Sequence, residues 1–575
     1  MSVCVFSHWH LYSWMKYVRN KKNITLYAMV CCIALSVTPL FAAPLSPADR
    51  DLIRQGQQDL LQQNQQQRDE LQRSAPLVQP AQPKPVASSG PCFTIHTINI
   101  NNATLLSSQK QKEFKQPYIG QCIGMDKITQ LTREISDWYI QQGYITSRAF
   151  LTEQDLSQGE LKIAVLEGRL EKIHLEGASS RQLTMAFPGL EGEILNLRDI
   201  EQGMEQINRL RSNPVQIEIL PSEKPGYSIV NLTATPEFPL SVSLGFDNSG
   251  QKSTGTGQLN GSLTGNNLLG LADKWFVSGA RSSDFSSSHD AQSVQAGLSI
   301  PYGYSLFDYS YSWSNYLSTI DNNGFGWAST GDSQTHRFTA SHVLFRNGDI
   351  KTGASIGLTH QISNNYLNDA KLDSSSRKLS SLLFGLNHTQ KIFGGVATFN
   401  PTFSHGVPWL GAENDNGKND NMPKAEFKKW SANGSFQLPV TNDLWWLTSV
   451  YGQWSPDRLY GSERLTIGGE SSVRGFKEQY LSGDNGGYLR NELNYTLFTL
   501  PFIGQVSSVV ALDGGWLQKD NKDPWASGTL WGAAVGLSSA NRYYSSQFTV
   551  GTPLQYPDWL APDHVSIYYR IAFVI

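Results

Sequence analysis

Arg474 lies in a glycine-rich stretch, GGESSVRGF at 468–476, inside a long segment between Pro456 and Gly487 that shows little strand alternation. Glycines let such a loop fold back tightly, and arginine offers five hydrogen-bond donors on a planar, permanently charged head. A charge of this kind needs a partner wherever it is buried. The chemistry that these residues suggest is an ion pair that fixes a loop, and no covalent reaction.

Asp513 is the leading candidate for that partner, because it lies in ALDGG, 511–515, within a stretch that alternates like a strand. The even-numbered residues around it are Val510, Leu512, Gly514 and Trp516. If they face lipid, Ala511, Asp513 and Gly515 face inward. If the strands of this region close into a barrel, an Arg474–Asp513 pair would latch the loop inside it. An Arg beside a Gly is, on its own, just as often a plain surface residue.

The other residues that could catalyse a reaction form no set. The histidines are scattered without a Ser or Asp at a motif spacing, so we interpret each as a lumen or loop residue: His342, His360, His388 and His405. An enzyme such as a barrel lipase or protease is therefore disfavoured. The sequence predicts no catalytic residue, no metal site and no cofactor, and the absence of a nucleotide-binding loop argues against ATP.

Only two cysteines, Cys92 and Cys122, remain once the first 43 residues are removed. An exported protein with two cysteines is expected to join them in an oxidising compartment, which would stabilise the fold by roughly 3 to 4 kcal/mol. The alternative is two free thiols or a metal site, although no cluster of His or Cys accompanies them.

The N-terminal part of the chain contains three segments. Residues 1–43 are typical of a signal peptide, since basic residues precede an apolar run that ends at Ala42 and Ala43. A membrane anchor is the alternative, but the run is shorter than the roughly 20 residues of a spanning helix. Residues 44–73 are glutamine-rich and predict a weakly amphipathic helix that suits a polar cavity or water. Residues 74–91, rich in Pro and Ser, predict a linker.

Residues 92–168 and 169–236 show one order of elements twice. Apolar residues at spacings of three and four predict a helix in each copy, at Ile128, Leu131, Ile135 and Trp138 and at Ile200, Met204, Ile207 and Leu210. Alternating residues predict strands on both sides of each helix. Each copy should form a small sheet with helices on one face, which is only marginally stable at this size.

Residues 237–575 alternate over much longer stretches. Four aromatic residues, Phe307, Tyr309, Tyr311 and Trp313, alternate with Asp308, Ser310, Ser312 and Ser314. The pattern predicts a transmembrane β-barrel of about 16 antiparallel strands, with lipid outside and water inside. A soluble sandwich would also alternate, but the large outward aromatic residues and the long loops rich in Asn, Asp and Gly favour the barrel. The net charge of −3 disfavours a nucleic-acid partner.

The chain resembles the outer-membrane transporters of two-partner secretion. GGESSVRGF resembles the loop motif of their superfamily, and ALDGG resembles its inward Asp-Gly strand motif, with Ala511 where Gly or Phe is common. The stretches at 143–168 and 199–212 resemble paired periplasmic POTRA domains. The resemblance covers nearly the whole mature chain, which departs from the usual terminal Phe by ending in Ile575, with Phe573 two positions earlier.

The resemblance implies a mechanism without covalent chemistry. Arg474 and Asp513 would hold the inward loop, Val473, Gly475 and Phe476 would shape its tip, and the wall would include Gly515. The POTRA domains would capture a large exoprotein by its N-terminal secretion domain, and the plug helix, 44–73, would leave before export.

The resemblance also implies the partners and the location. The exoprotein would be a haemolysin, an adhesin or a contact-dependent toxin, and the other partners would be outer-membrane lipid and the barrel assembly machinery. A monomer in the bacterial outer membrane is expected, with the POTRA domains in the periplasm. The alternative function is a barrel-assembly or insertion factor of the same superfamily, which would usually carry more POTRA copies.

Overall fold

The structure is a computed structural model that describes Ile53, Gly56 and residues 92–210, 215–234, 238–322, 324–521 and 523–575. Ile53 and Gly56 are helical, and Ile53 is buried. The predicted signal peptide (1–43), the predicted linker (74–91) and the rest of the predicted plug helix (44–73) lie outside the described residues. No helix within the described part is sufficiently long and apolar to span a membrane.

The first repeat is a three-stranded sheet covered by a long helix. Its elements are β1 (Phe93–Thr94), β2 (Thr97–Asn101), α1 (Ser108–Lys115), β3 (Cys122–Ile123), α2 (Met125–Gln141), β4 (Arg148–Leu151) and β5 (Glu160–Leu166). The sheet order is β2-β5-β4, with β2 parallel and β4 antiparallel to β5. Helix α2 buries the face that carries Ile128, Leu131 and Ile135, as its apolar spacing predicts.

The predicted disulfide is confirmed. Cys92 and Cys122 are bonded to each other, at a sequence separation of 30. The bond lies beside the short pair β1–β3, in which Thr94 is opposite Cys122. A two-residue pair of strands has little stability of its own, so the covalent link holds the start of this repeat in place.

The second repeat has the same design, with β6 (Arg169–Leu175), α3 (Ser180–Ala186), α4 (Leu197–Asn208), β7 (Gln216–Pro221) and β8 (Tyr227–Thr233). Its sheet order is β6-β8-β7, and β6 is parallel to β8. The two predicted α+β repeats are therefore confirmed, including a helix over each predicted apolar stripe. Asn196 begins α4 by accepting a hydrogen bond from the backbone N–H of Arg198.

The remaining strands close into an antiparallel barrel of sixteen long strands and one two-residue strand, β16, as far as the described residues show. They are β9 (Leu240–Asp247), β10 (Gln258–Asn266), β11 (Lys274–Ser282), β12 (Asp290–Tyr302), β13 (Ser305–Asn322), β14 (Phe325–Arg346), β15 (Ile350–Leu367), β16 (Ala370–Lys371), β17 (Arg377–Ile392), β18 (Gly395–Gly406), β19 (Lys428–Pro439), β20 (Leu444–Trp454), β23 (Gly486–Leu500), β24 (Gly504–Leu517), β25 (Gly528–Ala540), β26 (Tyr544–Gln555) and β27 (Ser566–Val574). The barrel closes where β27 pairs with β9. Two further short strands, β21 (Leu465–Ile467) and β22 (Leu481–Gly483), lie in the loop between β20 and β23.

The two faces of the barrel wall differ as the alternation predicts. On β13 the outward Phe307 and Tyr309 are exposed, whereas the inward Ser314 and Ser318 are buried. The same holds for β24, where Val510, Leu512 and Trp516 are exposed and Ala511 and Asp513 are buried. The exposed outer surface is therefore largely apolar, as a lipid-facing wall must be.

The interpretation of four histidines as lumen or loop residues is wrong. All four lie on strands and share the outward-facing register of the exposed apolar residues. An imidazole tolerates this position because each ring bonds to a neighbouring group, namely His342 to Ser305, His360 to Ser380, His388 to Thr352 and His405 to the carbonyl of Phe427.

The second repeat is bonded to the short turns at one end of the barrel. The carboxylate of Glu205 on α4 binds Lys351 and accepts a bond of 2.6 Å from Arg346. Tyr304 donates to Asp199 at 2.6 Å. Arg209, just after α4, donates to the carbonyl of Ala272 at 2.7 Å. These contacts join one helix to three successive turns of the barrel.

Candidate functional site

The loop between β20 and β23, which we call the inward loop, folds back into the barrel. It comprises residues 455–485, between β20 and β23, and strands β21 and β22 form a hairpin within it, in which Ile467 is opposite Leu481. Its apolar residues Leu465, Ile467, Val473, Phe476 and Leu481 pack in one buried cluster with three inner-wall residues, Tyr488, Leu517 and Leu530, and with Leu560 of the loop between β26 and β27. The loop is therefore part of the packed interior.

Arg474, at the tip of this loop, is buried against Asp513 on β24. Its Nε donates to Asp513 Oδ2 at 2.7 Å, and its Nη2 donates to Oδ1 at 2.8 Å. The backbone N–H of Arg474 donates to the same carboxylate at 3.1 Å. Asp513 is completely buried and Arg474 is 4% exposed. This is the planar, two-pronged pairing for which arginine is suited.

Two further buried charges complete the group. Glu492 Oε1 lies 3.0 Å from Arg474 Nη1 and accepts a bond of 2.9 Å from Arg490. Arg490 also donates to the backbone carbonyl of Ser471 at 3.1 Å. We call these four residues, Arg474, Arg490, Glu492 and Asp513, the charge cluster. Its two arginines balance its two carboxylates, which is the condition under which charges can be buried.

Three neighbouring strands present glycines to the loop tip. A Cβ on Gly532 would lie 1.9 Å from the carbonyl oxygen of Arg474, and one on Gly551 would lie 2.7 Å from the backbone nitrogen of Gly475. The predicted wall residue Gly515 would place a Cβ 3.0 Å from Val473. The loop backbone thus lies directly against the wall, at a distance that only glycine permits.

The other predicted tip residues are held by the same wall. Gly475 has a φ of +102° and donates its N–H to the hydroxyl of Tyr568 at 3.4 Å. The side chains of Val473 and Phe476 are completely buried, and the ring of Phe476 packs edge-on against Tyr556. The structure therefore brings together Arg474, Asp513 and the rest of the predicted tip.

Sequence reasoning missed Arg490, Glu492, Gly532 and Gly551. Arg490 and Glu492 alternate with the exposed Leu489 and Leu493 on β23, so their spacing of two was a signal for inward charges. The glycines gave no such signal, because only the strand register shows which ones face the loop.

This site can hold the inward loop against the barrel wall by ion pairs, which form and break reversibly. Among the described residues no three His, Cys, Asp or Glu side chains are grouped to hold a metal ion. The charge cluster holds loop to wall through hydrogen bonds and ion pairs, which can form and break without covalent change.

Comparisons with known proteins agree with this architecture. Residues 226–539 match the family model described as haemolysin secretion/activation protein ShlB/FhaC/HecB, residues 93–168 match the ShlB-type POTRA domain, and residues 169–221 match another POTRA domain model. The chain is 59% identical to an outer membrane transporter CdiB of Escherichia coli, over 96% of this chain and 94% of the relative.

Two further likenesses extend this result. The hemolysin transporter protein ShlB of Serratia marcescens is 33% identical over 86% of this chain and 87% of its own length. The solved structure of CdiB from Escherichia coli superposes with a TM-score of 0.89, at 60% identity, and covers 93% of this chain and all of that one. The barrel therefore lies in the bacterial outer membrane, with the POTRA domains in the periplasm, and the chain belongs to the haemolysin secretion/activation (ShlB/FhaC/HecB) family of two-partner secretion transporters.

Proposed function

We propose that this transporter recognises a large exoprotein by its N-terminal secretion domain and passes it through the barrel to the cell surface. The relatives named above include a hemolysin transporter, and a haemolysin, an adhesin or a contact-dependent toxin is the class of cargo that we expect. The polar inner wall opposite the inward loop is the observation that carries the proposal.

Recognition is assigned to the sheet edges of the POTRA domains. Strand β4 pairs only with β5, and β7 pairs only with β8, among the described residues. Edge strands offer unpaired backbone groups to which an extended segment can add. Beside the β4 edge, Phe150 and Leu166 are 46% and 48% exposed, so an added strand would also meet apolar side chains.

The path through the barrel is assigned to the wall that faces the loop. In the closed order of long strands, β14 lies eight strands from β25 in both directions, which is halfway around. The inward positions of β13 to β15 are mainly hydroxyl and amide residues, including Ser310, Ser312, Ser314, Ser333, Thr335, Thr359, Gln361 and Ser363.

Such a wall suits a moving polypeptide. A hydrogen bond from a Ser, Thr or Gln to an unfolded chain replaces one to water, so its net value is only about 1 kcal/mol, and one such contact exchanges readily for the next. The inward loop stays on the far wall through the charge cluster. The exoprotein would pass between loop and polar wall after the plug helix, 44–73, has left.

Site-specific photo-crosslinking tests this path. A photoreactive amino acid at the inward Ser310 should crosslink an exoprotein that is stalled during export, whereas the same residue at the outward neighbour Tyr311 should not. Crosslinks from the β7 edge at Glu218, made with the isolated secretion domain in the periplasm, test recognition separately.

Two outcomes would reject the proposal. Crosslinks from Tyr311 that equal those from Ser310 would place the cargo outside the lumen. Release of the exoprotein into the medium by cells that lack this transporter would remove the need for any path through it.

A further inference from the structure

Among the described residues, basic side chains cluster on one side of the outer surface of the barrel. They lie on β14 to β19, and we call them the basic arc: His336, His360, Lys371, Lys378, His405 and Lys428. The strand register makes them neighbours, because His336 is opposite His360, and His405 is opposite Lys428. Adjacent strands lie about 4.8 Å apart, so the five long strands span about 19 Å.

The arc faces away from the lumen. His336 shares its register with Phe338, and His360 shares its register with Ile356, both of which are exposed. The intervening face of these strands carries buried residues such as Ser333 and Ser363. Tyr309, which is 45% exposed on the outer surface, bonds His336 at 2.9 Å.

The arc also lies at the edge of the apolar outer wall that is farther from the POTRA domains. On β15 the outward residues before His360 are Ala354, Ile356 and Leu358. After His360 only Ile362 precedes Asn364, which lies four residues beyond His360 and accepts a bond from Lys371 at 3.0 Å. The second POTRA domain is bonded to the opposite, periplasmic end of the barrel. The arc therefore lies at the boundary between the apolar part of the outer leaflet and its headgroups.

The described residues on the other side of the barrel form no such cluster. Among the described residues at this level of β24 to β12, the outward positions include Trp516, Ile567, Phe246 and Leu259, and the basic Arg281 is already paired with Asp290 at 2.9 Å. By contrast, no carboxylate of the described part lies within ion-pair distance of Lys371, Lys378 or Lys428.

Hydrogen bonds fix which nitrogen two of the histidines offer. Ser380 donates its hydroxyl to the carbonyl of Trp409 at 2.9 Å, so it accepts the bond of 2.8 Å from His360 Nδ1. His405 Nδ1 donates to the carbonyl of Phe427 at 3.0 Å. In both rings Nε2 is the nitrogen that can meet a ligand, and protonation there makes it a donor to an anion.

We propose that the basic arc binds the phosphate groups of the phosphorylated glycolipid in the outer leaflet. Lysine ammonium groups and imidazolium rings are charge-assisted donors to phosphate oxygens. The position at the headgroup boundary and the restriction to one side fit a bound lipid, which would order the membrane beside β14 to β19. This inference is independent of how the exoprotein moves.

Native mass spectrometry of the full-length transporter, released from detergent, tests this site. The probes are bisphosphorylated lipid A, its dephosphorylated form and phosphatidylglycerol. The double variant Lys378→Gln/Lys428→Gln should lower the ratio of lipid A-bound to free protein by about tenfold or more, since each lysine near a charged membrane surface contributes about 1 kcal/mol. The control Arg281→Gln/Lys252→Gln should leave that ratio unchanged, because Arg281 lies on the other side of the barrel and Lys252, in the loop between β9 and β10, pairs with Asp563.

Three results would overturn the proposal: an equal loss of lipid A in the control variant, retention of the dephosphorylated glycolipid at the level of the phosphorylated one, or retention of phosphatidylglycerol at that level. Heat-dependent electrophoretic mobility of each variant shows that its barrel is folded, so a loss of lipid is not a loss of structure.

Discussion

The charge cluster holds the inward loop inside the barrel by interactions that depend on one another, so the loss of one member weakens the rest. Arg474 contacts both carboxylates, and Arg490 contacts Glu492 and the loop backbone. A buried group of this kind adds little net stability compared with an apolar core, but removing one member leaves an unpaired charge. Its value is that it specifies one position for the loop.

Replacing Arg474 by Ala should therefore release the loop from the wall. Leaving Asp513 and Glu492 without this partner costs about 3 to 5 kcal/mol, which shifts the docked fraction of the loop by at least about a hundredfold. We expect the exoprotein in the medium to fall by at least about tenfold, measured by immunoblot, while the barrel keeps its heat-dependent mobility.

Arg458→Ala is the matched control, because Arg458 belongs to the same loop but pairs with Asp520 near its outer end. Secretion by this variant should stay close to that of the wild type. Unchanged secretion by Arg474→Ala would show that the charge cluster is not needed for export.

Gly532→Ala tests the close approach of loop and wall. The new methyl group would lie 1.9 Å from the carbonyl oxygen of Arg474, so the tip must move away. Protease sensitivity of the inward loop in purified protein should rise, in parallel with a loss of secretion. Gly452→Ala, where a Cβ would have 4.0 Å to its nearest neighbour, should change neither; a loop equally protected in both variants would contradict the tight fit.

Sequence alone predicted half of the charge cluster. Arg474 and Asp513 could be paired because one lies in a glycine-rich loop and the other has the inward parity of its strand. Arg490, Glu492 and Gly532 depend on the register between strands, which the sequence of a single chain does not contain.

At the scale of elements, the alternation and helix periodicity predicted both repeats and the barrel strands. Periodicity works here because each element has one apolar face. The interpretation of the histidines failed because it rested on the absence of a catalytic spacing, which does not show whether a strand residue faces the lumen or the lipid. The hydrogen bonds of His360 and His405 to Ser380 and Phe427 show how a ring can remain on the outside.

Helix α4 provides a pH-dependent contact between the second POTRA domain and the barrel. Burial would raise the pKa of Glu205, but Lys351 and Arg346 outweigh it and hold that pKa below its ordinary value. A carboxylate with a lowered pKa stabilises the docked form above its ordinary pKa, near 4.3, and this contribution disappears as the pH falls towards the lower value.

Hydrogen exchange of the full-length protein measures this effect. Between pH 6 and about pH 3.5, protection of α4 should fall relative to that of α2, which serves as an internal reference in the first repeat. Glu205→Gln should show the weaker protection at both pH values, whereas Glu218→Gln on β7 should behave like the wild type. A constant ratio of the two helices in wild-type protein would contradict a role for Glu205.

At the scale of the whole molecule, a barrel of sixteen strands is wide enough for an aqueous channel, and the inward loop occupies only one side of it. The glutamine-rich segment 44–73 has too few apolar residues to be held strongly, which fits our proposal that it is a plug that leaves before export. Its Ile53 is nonetheless buried.

Deleting residues 44–73 should raise the single-channel conductance of the purified protein in planar bilayers, because an obstruction of the lumen is removed. A variant in which 74–91 is replaced by a Gly/Ser segment of equal length retains the plug and should conduct like the wild type. Equal conductance of the deletion and the wild type would argue against a plug.

The docking of α4 also bears on the order in which the molecule is built. Its partners, Ala272, Tyr304, Arg346 and Lys351, lie at three hairpin turns that come later in the chain. The second repeat leaves the ribosome before the barrel strands, so it has no docking site until those hairpins exist. We expect its attachment to be a late event in biogenesis. In a precursor with an unfinished barrel the periplasmic domains would be free to reorient, and only the completed barrel would fix their orientation.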